Sequence, residues 1–94
     1  MTKAELVDKI AEKKPGLTRK DVEAVVNTVL DSIKDALSNE DKVEIRGFGS
    51  FRIRHRRAKT GRNPKTGKEV PITPRRVVTF RPSQLLRERV EKAL

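Results

Sequence analysis

The first 38 residues place apolar side chains at helical spacing in two runs, which a Pro-Gly pair separates. The first run opens with Thr2 and Glu5, and this spacing of three is that of a capping box. The second run opens in the same way with Thr18 and Asp21. We therefore predict one helix from Thr2 to the Pro-Gly pair and a second that ends near Ser38. The predicted apolar stripes are Leu6, Val7, Ile10 and Ala11, then Val22, Val25, Val26, Val29, Leu30, Ile33 and Leu37.

After the second helix the period of the pattern changes to two, which is typical of a strand with one buried face. Val43 and Ile45 are apolar and alternate with charged residues. A tight reversal or bulge is expected at Gly47-Phe48-Gly49. Alternation resumes over residues 50–57 and predicts a second strand. The arginines expected on its outward face are Arg52, Arg54 and Arg56.

The alternating apolar residues stop at residue 58 and return from Val70. This gap indicates a long hairpin whose distal part leaves the body of the protein as an arm. Asn63 and Pro64, between two glycines, predict the turn at its tip, because asparagine suits the first position of a turn and proline the second.

The return strand of the hairpin and a last helix complete the predicted fold. Pro71 and Pro74 cannot donate ladder hydrogen bonds, so we expect both on an edge strand. Ser83 is expected to cap the last helix. The apolar residues of that helix are Leu85, Leu86, Val90 and Leu94.

The net charge of the chain is concentrated in the predicted hairpin. Residues 52–81 hold eleven Lys or Arg and one acid, Glu69, whereas the rest of the chain holds twelve residues of each sign. A neutral body with one cationic arm indicates a polyanionic partner, although a charge run of this kind can also be a solvated surface. The basic residues expected to bind nucleic-acid phosphates are Arg52, Arg54, Arg56, Arg57, Lys59, Arg62, Lys65, Lys68, Arg75, Arg76 and Arg81.

Size and composition suggest an oligomer in a reducing compartment. A chain of 94 residues that exposes about a third of its length leaves a body near the lower limit of independent folding. The chain has no cysteine, and its opening residues lack a continuous apolar run. We expect a soluble intracellular protein without disulfides, secretion signal or membrane span.

The aromatic residues favour duplex over single-stranded nucleic acid. Phe48, Phe51 and Phe80 all fall at positions where the alternation requires core residues, and the chain has no Trp or Tyr. Pro64 has two interpretations: a simple turn former, or an apolar wedge at the end of a cationic ribbon.

No constellation of residues supports catalysis. The single histidine, His55, lies within an arginine strand and is expected to be a surface or phosphate-contacting residue. The sequence contains no phosphate loop and no metal-ligand spacing. We expect no enzymatic activity, no cofactor and no metal.

The strings VEIRGFGSF at residues 43–51 and TGRNPKTG at residues 60–67 resemble the bacterial histone-like HU and integration host factor family. The resemblance covers the whole chain. It implies an α+β fold and an intertwined dimer, with a helical body, a three-stranded antiparallel sheet and a long protruding β-ribbon arm in each protomer. It also implies that Pro64 intercalates into duplex DNA and that Arg62 and Asn63 enter the minor groove beside it. The same resemblance assigns the dimer core to Phe48, Phe51 and Phe80.

Within this family the sequence looks nearer to the β-type subunit of integration host factor, because Glu44 and Arg46 precede the Gly-Phe-Gly-Ser-Phe string. Their spacing of two places both side chains on the outward strand face. The resemblance implies that Arg46 reads sequence in the minor groove, steadied by Glu44, and the alternative is a surface ion pair. The expected partner is a second copy of the chain, and a related subunit is the alternative.

The resulting interpretation is a nucleoid-associated protein of the bacterial cytoplasm that binds and bends duplex DNA with low or modest sequence preference. An RNA-binding or ribosome-associated module is the alternative. We expect one domain over residues 1–94, with a helical dimerisation body at about 2–38 and 83–94. The sheet is expected at about 42–57 and 69–81, and the arm at about 55–76.

Overall fold

The computed structural model describes residues 1–57, 59–72 and 74–92. The chain divides into two compact units, Met1–Asp35 and Ala36–Leu94. Its elements are α1 (Lys3–Lys13), α2 (Arg19–Ser38), β1 (Val43–Ile45), β2 (Gly49–Arg56), β3 (Lys59–Arg62), β4 (Glu69–Ile72), β5 (Arg75–Pro82) and α3 (Gln84–Lys92). The predicted α+β fold, with three helices and antiparallel sheet, is confirmed.

Both predicted helix starts in the first unit are confirmed. The Glu5 N–H donates to Thr2 Oγ1 at 3.2 Å, so Thr2 caps α1. The start of α2 forms a reciprocal capping box, because the Asp21 N–H donates to Thr18 Oγ1 at 3.1 Å and the Thr18 N–H donates to Asp21 Oδ2 at 3.3 Å. Side-chain oxygens thereby satisfy amides that a helix start leaves without a backbone partner.

The first unit has a small aliphatic core between α1 and α2. Val7 is 1% exposed and Val22 is 2% exposed, and Val26 completes the buried set. Ile10 and Ala11 pack against this cluster. Part of each predicted stripe therefore meets in this core, whereas Leu6, Val25 and Val29 remain exposed.

An ion-pair network on Arg19 also joins the two helices of this unit. Arg19 Nε donates to Asp8 Oδ1 at 2.7 Å, and Arg19 Nη1 lies 3.2 Å from Glu23 Oε2. The hydrogen bond and the charge of Asp8 raise the pKa of the Arg19 guanidinium. The contact is solvent-exposed, so it contributes little to stability.

In the second unit, β2 lies at the centre of an antiparallel sheet of order β1-β2-β5. The predicted reversal between β1 and β2 is confirmed, because the Phe48 N–H donates to the Ile45 carbonyl at 2.9 Å. Gly47 has a φ of 81° at this turn, a left-handed value that glycine adopts without a steric penalty.

The predicted hairpin is divided into two ladders with the same register. Arg57 and Pro74 are the next opposite residues beyond the ladder of β2 and β5, and neither lies in a strand. The placement of Pro74 within a strand was therefore wrong, whereas Pro71 lies in β4 as predicted. The range predicted as one sheet at 69–81 also divides between β4 and β5. The ladders run from Gly49–Pro82 to Arg56–Arg75 and from Lys59–Ile72 to Arg62–Glu69.

The last helix begins where predicted. Ser83 Oγ accepts the Leu86 N–H at 3.1 Å, and the Ser83 N–H donates to the Phe48 carbonyl at 2.9 Å. Ser83 therefore caps α3 and joins it to the turn between β1 and β2. Leu94, which was predicted to belong to this helix, lies outside the described residues. Within the part of the chain that is described, no helix has the length and apolar character needed to cross a membrane.

Candidate nucleic-acid interface

The inner ladder of β2 and β5 has two chemically different faces. Because opposite residues of an antiparallel pair share a face, the register assigns every side chain to one of them. Five arginines share one face, which we call the basic face, and Arg56 stands directly opposite Arg75 at its outer end. All five are exposed. The basic face consists of Arg52, Arg54, Arg56, Arg75 and Arg81.

The other face, which we call the apolar face, carries the phenylalanine cluster. The ring centroids of Phe51 and Phe80 are 4.8 Å apart, and those of Phe48 and Phe80 are 5.5 Å apart. Phe80 is nevertheless 42% exposed, and Val78 beside it is 58% exposed. The single chain therefore leaves a partly open apolar surface on the side opposite the arginines.

The tip of the arm is a hydrogen-bonded turn that presents Pro64 to solvent. Asn63 Oδ1 accepts the Lys65 N–H at 2.9 Å, so the asparagine side chain spans the proline. The Gly67 N–H donates to the Asn63 carbonyl at 2.7 Å, and Gly67 has a φ of 69°. The Asn63 N–H donates to the Lys68 carbonyl at 2.9 Å and closes the loop. The turn predicted from Asn63 and Pro64 is thus present, and Pro64 is exposed at its second position.

Cationic side chains lie on both sides of this tip. Lys65 and Lys68 belong to the turn and are exposed. Arg62 is the last residue of β3 and stands opposite Glu69, the one acid of the hairpin. Lys59 begins β3, but its side chain lies outside the described part of the structure.

The acid predicted to steady Arg46 has a different partner. Glu44 lies opposite Ser50, which lies opposite Arg81, so the outward side of β1 continues the basic face. Glu44 Oε1 is 3.6 Å from Lys42 Nζ, and this exposed contact is the ion pair that Glu44 makes. The role predicted for Glu44 in steadying Arg46 stays a prediction. Glu44, Arg46 and Arg81 do line one groove.

Arg76 does not lie with the other arginines. It stands opposite His55 on the side of the apolar face, and Arg75 next to it lies on the basic face. His55 Nε2 is 2.8 Å from Glu40 Oε1, and Arg76 Nη1 is 3.5 Å from the same oxygen. Arg76 therefore lies outside the basic face, and the structure adds Glu40, which carries no signal in the sequence.

Nearly the whole chain matches one family model. Residues 1–91 match the model described as bacterial DNA-binding protein. The chain belongs to this family.

Two solved HU proteins extend the family match to three dimensions. Anabaena HU, in a cocrystal structure with DNA, is 47% identical, with a TM-score of 0.84 over 96% of this chain and 97% of that chain. HU from Thermotoga maritima is 34% identical, with a TM-score of 0.67 over 96% of this chain and 98% of that chain.

The predicted resemblance to the HU and integration host factor family is confirmed at the level of the family. The closer affinity to the β-type subunit of integration host factor stays a prediction. The family is one of DNA-binding proteins rather than of enzymes, and this favours the DNA-binding interpretation over the RNA-binding alternative.

Proposed function

We propose that this protein is an architectural component of the bacterial nucleoid that binds duplex DNA in the minor groove and bends it. The observation that carries the proposal is the combination of a basic face of five arginines with an exposed proline at the tip of the same hairpin. The arginines neutralise phosphates along the duplex, which releases counterions and supplies affinity without sequence preference. We assign no catalytic activity and no cofactor to this protein.

Pro64 acts as the wedge in this proposal. Its side chain is apolar and exposed, and the turn that carries it is closed by the bond between the Asn63 side chain and the Lys65 N–H, so little ordering is needed before it enters a base step. Arg62 and Asn63 enter the minor groove beside it. Opening one base step costs a few kcal/mol, which the additional phosphate contacts of a bent duplex offset.

The functional unit is a dimer, and a second copy of this chain is the simplest partner. In the described residues the buried hydrophobic side chains are Val7, Val22 and Val26, a very small core for a chain of this size. Large aliphatic residues of both units remain exposed, among them Val29 at 51% and Leu85 at 64%. Burial of these residues and of the apolar face by a partner copy would supply the missing core. Phe48, Phe51 and Phe80 would then lie in the dimer core.

This proposal assigns a separate role to each segment of the chain. The helices at about 2–38 and 83–94 form the dimerisation body, and the hairpin at about 55–76 forms the arm. Glu44 and Arg46 flank the DNA path on the outward side of β1. They give at most modest sequence preference.

Replacing Pro64 by alanine tests the wedge. The duplex is about 35 base pairs long with a fluorophore at each end, so that bending raises energy transfer between the ends. Pro15→Ala is the matched control, because Pro15 is an exposed proline in the turn between α1 and α2. We expect Pro64→Ala to lower energy transfer at saturation while its affinity changes less than tenfold, since most affinity comes from phosphate contacts.

The two variants separate the wedge from DNA binding itself. Pro15→Ala should bend the duplex as the unaltered protein does. Equal energy transfer with Pro64→Ala would overturn the wedge and leave phosphate binding in place. Absence of saturable binding by the unaltered protein would overturn the proposed function.

A further inference from the structure

The end of α2 has a backbone conformation that its sequence does not favour. The Asp41 N–H donates to the Ala36 carbonyl at 2.9 Å, and the Glu40 N–H donates to the Leu37 carbonyl at 3.0 Å. These two bonds form a Schellman motif, in which the residue at the position of Glu40 takes a left-handed conformation and is usually glycine. Glu40 has a φ of 60°. A glutamate here is therefore sterically disfavoured.

The Glu40 carboxylate joins the end of α2 to both strands of the inner ladder. Its Oε1 atom lies 2.8 Å from His55 Nε2 on β2 and 3.5 Å from Arg76 Nη1 on β5. His55 and Arg76 are directly opposite each other in the ladder. Arg76 Nη1 also lies 3.4 Å from the Ser38 carbonyl at the end of α2. We call Glu40, His55 and Arg76 the arm root.

The arm root lies where the inner ladder ends. The pair His55–Arg76 is followed by one last pair, Arg56–Arg75, at the end of the ladder of β2 and β5. A contact at this position therefore limits the directions in which the arm can leave the sheet. The side chains are 45% exposed for Glu40, 68% for His55 and 53% for Arg76. These contacts therefore contribute little to global stability.

We propose that Glu40 is a positioning residue that fixes the root of the DNA-binding arm, and that it holds Arg76 and His55 away from DNA phosphates. The part of this inference that concerns DNA rests on the proposed function. Arg76 and Arg75 are neighbours in sequence but lie on opposite faces, so they have different tasks. Arg75 contacts phosphates, and Arg76 orients the arm through Glu40.

The first test uses the protein without DNA and follows hydrogen exchange of the backbone amides at 53–56 and 75–78. Glu40→Ala removes the carboxylate but keeps a non-glycine residue at the left-handed position. Asp41→Ala is the matched control, because it removes one acid from the adjacent position and Asp41 has no ion pair among the described contacts.

We expect exchange at these amides to become about three- to tenfold faster in Glu40→Ala, since the contacts that restrain local opening are lost. Exchange in Asp41→Ala should be unchanged, and the amides around Val7 should be unaffected in both variants. Equal exchange in Glu40→Ala and Asp41→Ala would overturn the positioning role.

The second test compares Arg75→Gln with Arg76→Gln in the salt dependence of duplex DNA binding. Each phosphate contact contributes about 0.9 to the slope of log K against log salt concentration. We expect Arg75→Gln to reduce the slope by about this amount and Arg76→Gln to leave it unchanged. Arg76→Gln should instead accelerate amide exchange at the arm root, as Glu40→Ala does.

An equal loss of slope in the two arginine variants would assign Arg76 to DNA and overturn this inference. If the unaltered protein did not bind DNA, the proposed function would fail. The exchange measurement on the free protein would still decide whether Glu40 fixes the arm root.

Discussion

Replacing Gly49 by alanine introduces a methyl group into a tightly packed part of the sheet. Gly49 is buried at the start of β2, between β1 and β5. A Cβ atom at this position would lie 2.5 Å from Cζ of Phe80, 2.6 Å from Cε1 of the same ring and 2.7 Å from the carbonyl oxygen of Arg81. Carbon atoms normally approach to about 3.5–4.0 Å, so a displacement of about 1 Å is required.

Neither neighbour can move without losing other contacts. The Arg81 carbonyl belongs to β5, whose backbone is fixed by pairing with β2. The Phe80 ring lies between Phe48 and Phe51. Overpacking of this kind costs about 1–3 kcal/mol, and loss of one aromatic contact adds about 0.5–1.5 kcal/mol. We expect Gly49→Ala to lower the free energy of unfolding by about 2–4 kcal/mol.

Urea unfolding at one fixed protein concentration measures this loss, and the concentration is fixed because the stability of a dimer depends on it. Gly16→Ala is the control, because a Cβ atom at Gly16 would meet nothing within 4 Å. Its effect should stay within about 0.5 kcal/mol. A loss below about 0.5 kcal/mol for Gly49→Ala would refute the packing argument.

Two further substitutions test the last helix and the basic face. Ser83→Ala removes the oxygen that accepts the Leu86 N–H and should cost about 0.5–2 kcal/mol in urea unfolding. Ser32→Ala removes a hydroxyl that donates to the Thr28 carbonyl within α2 and should cost nothing, so equal losses would contradict the capping role. Arg54→Gln on the basic face should reduce the salt slope of DNA binding by about 0.9, whereas Lys13→Gln in α1 should not change it. An unchanged slope for Arg54→Gln would remove this arginine from the interface.

The sequence predicts most of the fold because its local signals agree with its tertiary contacts. The reciprocal bonds of Thr18 and Asp21 and the cap at Ser83 depend on neighbouring residues only, so their spacing is sufficient to predict them. The tip turn follows in the same way from Asn63 and Pro64.

The arm root could not be predicted in this way. The signal for a left-handed residue after a helix is glycine, and Glu40 carries no such signal. Its contacts with His55 and Arg76 also join segments that are distant in sequence. Arg76 is an even number of residues from Val78 and Phe80, so the alternation does place it on their face of the strand and Arg75 on the other. A count of charged residues does not distinguish the two arginines.

The division of the hairpin into two ladders could not be predicted from the sequence for a similar reason. Pro74 is opposite Arg57 only because of the register that β2 and β5 adopt, and register depends on the pairing of complete strands. From the sequence, Pro74 and Pro71 carry the same signal. The structure distinguishes them, since Pro71 lies in a strand and Pro74 does not.

The central claim is that this chain alone binds and bends duplex DNA. End-to-end energy transfer on a duplex of about 35 base pairs, titrated with the protein over a salt series and with duplex RNA as competitor, tests it most directly. We expect a saturable rise in energy transfer that weakens with salt and that RNA does not compete away. Binding without a rise in transfer, or preferential binding to RNA, would contradict it.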